Sequence, residues 1–95
     1  MSDVTMEKEE VRSRVREALE HVLGRNEAKA ALKSDDLLEE GYIDSFGLVE
    51  LASHLEEMCQ ISIPPEKLTR ENFRSFASLV TLCVSSLRQK ERSGI

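Results

Sequence analysis

Apolar residues recur at three- and four-residue steps in three long stretches of the chain, the spacing that lines one face of a helix. Val11, Val15, Ala18, Leu19, Val22 and Leu23 make the first stripe, and Gly24 follows as a natural C-cap. The pattern predicts a helix over about 6–23, with glutamates at 7, 9 and 10 near its start and His21 near its end, as its dipole favours. Leu48, Leu51, Ala52, Leu55 and Met58 make the second stripe, on a helix over 45–59. Phe76, Leu79, Val80, Cys83, Val84 and Leu87 make the third, with Ser75 as its cap and a polar tail expected to fray from Gln89 onward.

The connections are read from their breakers. Between Gly24 and Asp44 lies a link of about twenty residues, longer than bundle loops usually are, which must be tied down or functional. Asn26 is placed to cap a short helical turn through Ala28 to Leu32, while Leu37, Leu38 and Ile43 are expected to anchor the link on the core. Gly41 supplies the backbone freedom for the turn that presents Asp44 and Ser45. Ile61 and Ile63 alternate with polar residues but run into Pro64 and Pro65, so a short extended link is expected and not a sheet strand, followed by a brief turn near Arg70 to Phe73.

A chain of 95 residues makes one small domain. With no Trp, one Tyr and three Phe, its core must be built from aliphatic side chains. The expected fold is all-α, a small bundle of three main helices plus a short one. The expected division is a tail over 1–5, the domain over 6–88 and a flexible tail over 89–95. Nothing in the sequence has the form of a signal peptide or a membrane span, and the cytoplasm is the expected compartment. Cys59 and Cys83 fall on two different helices without CxxC spacing or a histidine at ligand distance, which predicts buried reduced thiols and no metal site; a disulfide between facing helices is the alternative.

The net charge of −5 conceals a sharper split, because Ser34 to Glu66 holds nine acids and neither lysine nor arginine. An acidic region centred on Ser45 speaks against nucleic acid and for partners with basic docking surfaces. Asp44 is the expected N-cap of the second helix, which leaves Ser45 exposed in the first turn, where free N–H groups and the helix dipole favour a phosphate. A nucleophilic serine needs a base within reach, and only His21 and His54 are available. His54 is nine residues further along the same helix and His21 is on another, and the flanking residues do not form a GxSxG elbow. Ser45 therefore reads as an attachment point and the chain as a non-enzyme. Phe46, Val49, Glu50, Ser53 and Glu57 line the opposite stripe of that helix; Phe46 either faces outward as a docking residue or folds back as a staple.

The stretch EGYIDSFGLVEL, with Gly41, Asp44, Ser45, Phe46, Glu50 and Leu51, resembles the phosphopantetheine attachment site of acyl and peptidyl carrier proteins. LEEMCQISIPPEKLTRENFRSFASLV, Leu55 to Val80, resembles the family's segment between its second and fourth helices, including the ISIP run and the ENF turn. Tyr42 and Ile43 separate Gly41 from Asp44 where many members have one residue, which is more like the D-alanyl carriers and various discrete carriers. The resemblance implies that Ser45 bears a 4'-phosphopantetheine arm, donated from coenzyme A by a phosphopantetheinyl transferase. Asp44 would hold the helix start and help position the transferase's metal and phosphate. Phe46, Val49, Glu50 and Ser53 would form the recognition face for that transferase, for a cargo-loading ligase or acyltransferase, and for downstream biosynthetic enzymes of a specialised pathway. The implied form is a monomeric, discrete acyl or aminoacyl carrier; the alternative is an unmodified helical interaction module.

Overall fold

The computed structural model describes the backbone of residues 7–93 and the side chains of residues 7–89. Four helices follow one another, α1 (Lys8–Leu23), α2 (Arg25–Ala31), α3 (Ser45–Cys59) and α4 (Phe76–Ser93), with a 3-10 turn at Pro65–Lys67 and no strand among the described residues. This is the expected all-α bundle of three long helices and a short one. Residues 1–6, which include the expected tail 1–5, and residues 94–95 lie outside the described residues. Helix α4 continues to Ser93, beyond the Leu87 at which its apolar stripe ends.

Helix α1 packs against α2, α3 and α4, and α3 also meets α4. Its direction is opposite to that of α3, because Arg14 reaches the Met58 carbonyl at 3.4 Å while His21, two turns later, meets His54, one turn earlier in α3. The three stripes close on one core in which Val11, Val15, Leu19, Leu51, Leu55, Leu79 and both cysteines are fully buried. Met58 is half-buried at the rim of that core, and Cys59 takes the central position beside it. Arg12 covers the Phe76 ring at 5.2 Å and so joins α1 to the start of α4.

Gly24 both ends α1 and starts α2. At φ +89° its N–H donates to the Glu20 carbonyl and its own carbonyl accepts from Ala28, so the chain turns and re-enters a helix without a spacer. Asn26 therefore sits inside α2 and does not cap it, contrary to the sequence expectation: the glycine backbone already provides the turn. Ser75 does cap α4, accepting from the Ser78 N–H at 3.3 Å. Ile61 and Ile63 are buried in an extended link, held where the Ile63 N–H donates to the Glu56 carboxylate at 2.7 Å.

Candidate functional site

The segment from Ser34 to Ile43 is what aims the start of α3, and it is fastened at several points. Leu37 is fully buried, its N–H donates to the Arg74 carbonyl at 2.6 Å, and its carbonyl accepts from Tyr42 and Ile43 at 2.8 and 3.2 Å. Ser34, itself buried, donates to the Glu40 carboxylate at 2.6 Å. Asp36 accepts from the Glu39 N–H at 3.0 Å and faces Arg74 at 3.7 Å. Gly41 then turns the chain at φ +82°, and Ile43 drops into the core. The long link is thus tied down, with Leu37, Leu38 and Ile43 as its anchors, and Leu38 half-buried.

Asp44 caps α3 as expected: its carboxylate accepts from the Gly47 N–H at 2.7 Å. Ser45 is the first helical residue and is exposed. Phe46 is 84 % exposed and Val49 54 %, so Phe46 faces outward and the staple alternative is removed; Glu50 and Ser53 are exposed alongside. An exposed aromatic at that level, one turn from an exposed valine, is the kind of patch that marks a contact surface.

Among the described residues, the two imidazoles and the neighbouring carboxylate are engaged elsewhere than with Ser45. The His54 imidazole stacks on His21 with centroids 5.3 Å apart and planes 6° from parallel, and the Asp44 carboxylate is engaged with the helix start. Sequence reasoning treated the two histidines separately; the stack arises from the antiparallel meeting of α1 and α3, which no local spacing reveals. It equally missed Arg70 and Arg74, which bring positive charge back to Asp36 and Glu39 from more than thirty residues away. No group of three or more His, Cys, Asp or Glu side chains among the described residues is placed to hold a metal ion.

Beside Ser45 lies an open groove of about 570 Å³. Val22 and Leu23 from the end of α1, Leu38, Tyr42 and Ile43 from the link, Asp44, Phe46, Gly47 and Glu50 from the start of α3, and Arg70 form its walls. An exposed hydroxyl at the positive end of a fifteen-residue helix, next to a half-apolar groove, fits a serine-linked phosphodiester with an extended organic arm.

The family described as "Phosphopantetheine attachment site" matches residues 13–83, most of the chain and all of the site. A D-alanyl carrier protein from Streptococcus uberis (strain ATCC BAA-854 / 0140J) is 35 % identical over 49 residues, a match that covers 52 % of this chain and 62 % of the relative's length. No solved structure matches significantly. No helix among the described residues is long and apolar enough to cross a membrane.

Proposed function

The chain belongs to the phosphopantetheine-attachment family, whose members carry cargo and do not convert it, and we propose that Ser45 is the residue that bears its 4'-phosphopantetheine. That group supplies a terminal thiol, which holds an acyl or aminoacyl unit as a thioester. What the chain itself does is present and orient. Asp44 fixes the first turn of α3 and so the direction of the Ser45 hydroxyl, while Ile43 and Leu37 hold that turn to the core. The observation that carries the reading is the exposed Ser45 hydroxyl, capped into the first position of α3 beside an open groove.

The exposed stripe of Phe46, Val49, Glu50 and Ser53 is the surface proposed to meet a phosphopantetheinyl transferase, a loading ligase or acyltransferase, and the enzymes that take the cargo on. The acidic character of Ser34 to Glu66 favours partners with basic surfaces and speeds their encounter at low salt. Likeness to a protein named a D-alanyl carrier supports an aminoacyl cargo of a specialised pathway. The test is the intact mass of the purified chain before and after incubation with coenzyme A, magnesium and a broad-specificity phosphopantetheinyl transferase. A gain of one phosphopantetheine group in the parent and none in Ser45→Ala is the expected result; a folded, unmodified parent that gains nothing overturns it.

A further inference from the structure

The groove beside Ser45 is lined mostly by the stretch Ser34 to Glu66, which holds nine carboxylates and no lysine or arginine. Among the described residues one cation lines it, Arg70, which enters from the turn before α4. Its guanidinium donates to the Glu39 carboxylate at 3.0 Å and stands 3.9 Å from Asp36. The bond to Glu39 is an open one, with the two side chains 61 % and 72 % exposed. Water competes for both ends of such a pair, so a better acceptor displaces it readily. Nor does the link depend on Arg70 alone, because Asp36 keeps Arg74 at 3.7 Å and the Glu39 N–H at 3.0 Å.

A phosphodiester on Ser45 brings a full negative charge and two free oxygens into this carboxylate-rich surface. A guanidinium matches a phosphate through paired N–H donors, a stronger and more directional contact than its solvated carboxylate pair. Arg70 and the first turn of α3, through Phe46 and Gly47, line the same groove. We infer that Arg70 is a positioning residue for the arm: it exchanges Glu39 for the phosphodiester on Ser45 and thereby directs the arm along the groove. This rests on the reading of Ser45 as the attachment residue. It assigns Arg70 a part in presentation that a purely structural tie between the link and the turn does not have.

The experiment records the Arg70 Nε–H signal and the phosphodiester 31P resonance by NMR, on chains whose apo or holo state is fixed by intact mass. The parent, Arg70→Ala, Arg70→Lys and Glu39→Gln are compared. Expected are a downfield move of the Arg70 Nε–H proton from apo to holo, a 31P resonance displaced in Arg70→Ala and partly restored in Arg70→Lys, and a larger Arg70 response in Glu39→Gln, where the competing carboxylate is neutral. If the Arg70 signal is the same in apo and holo chains and the 31P resonance ignores the Arg70 variants, the inference falls while the attachment reading stands. A parent that gains no mass removes both.

Discussion

The Gly47 backbone N–H and the Asp44 carboxylate are 2.7 Å apart, a hydrogen bond that closes the first turn of α3 around the intervening Ser45. Removing the acceptor leaves a helix-start donor to water alone. Asp44→Ala is therefore expected to cost about 1 kcal/mol of stability, whereas Asp44→Asn or Asp44→Ser keeps an acceptor and costs only a fraction of that. Urea unfolding checks the order. In a domain of this size the alanine variant should melt roughly 4–8 °C lower for each kcal/mol lost.

Much of this site is legible in the sequence because its determinants are local. Asp44 and Ser45 mark the start of α3, Cys59 its end and Ser75 the cap of α4, since caps and stripes are set by neighbours within a turn. What escaped is long-range. Arg70 and Arg74 meet Asp36 across a gap that only the folded chain closes, and the same holds for His21 on His54. The direction of Phe46 is open in the sequence for a different reason: a helix start can turn an aromatic either way, and in the fold Ile43 and Leu48 are buried while Phe46 is 84 % exposed. Gly24 reads as a terminator, but a glycine at positive φ can also begin the next helix, and nothing in its identity separates the two roles.

Two glycines near the site should respond oppositely to the same change. At Gly41 an added Cβ meets nothing within 4 Å, yet φ is +82°, so Gly41→Ala costs about 1 kcal/mol through the backbone alone and loosens the turn into Asp44. At Gly47 the backbone is helical and the new Cβ would stand 3.4 Å from Asp44 Oδ1 and from Ile43 Cβ, a tight but tolerable contact. Helix propensity favours alanine there by up to about 1 kcal/mol. Gly47→Ala should therefore be neutral to stabilising in thermal unfolding, and a loss matching that of Gly41→Ala would show that Asp44 cannot give way.

Cys59 and Cys83 lie in the core where α3 meets α4, both free thiols and both fully buried. The neighbouring Cys59 thiol and burial push Cys83 far above its ordinary value of 9.0, so that Cys83 is the member of the pair that keeps its proton. In the folded chain, alkylation of Cys83 by iodoacetamide should stay slow even at high pH while the fold persists. Denaturant should release rapid labelling. Fast labelling of Cys83 in the folded protein at pH 8 would contradict this burial.

Phe46 and Val49 offer a clean separation of binding from stability. Neither side chain is needed by the core, with exposures of 84 % and 54 %, so Phe46→Ala and Val49→Ala should leave the urea midpoint within about 0.5 kcal/mol of the parent. If this stripe is the surface a transferase grips, an aromatic at its centre is the residue most apt to dominate, and its truncation should cost about 1–2 kcal/mol of recognition. Converted to rates, that is roughly a 5- to 30-fold fall in kcat/KM for modification of Ser45. Val49→Ala should fall by less, and Thr81→Ala, exposed on α4, should change neither quantity. The rates come from following the mass of the chain over time at substrate concentrations well below saturation. Equal modification rates for Phe46→Ala and the parent would move the docking surface away from this face of α3, whereas a slower Phe46 variant with an unchanged urea midpoint can be explained only by a lost contact with the partner.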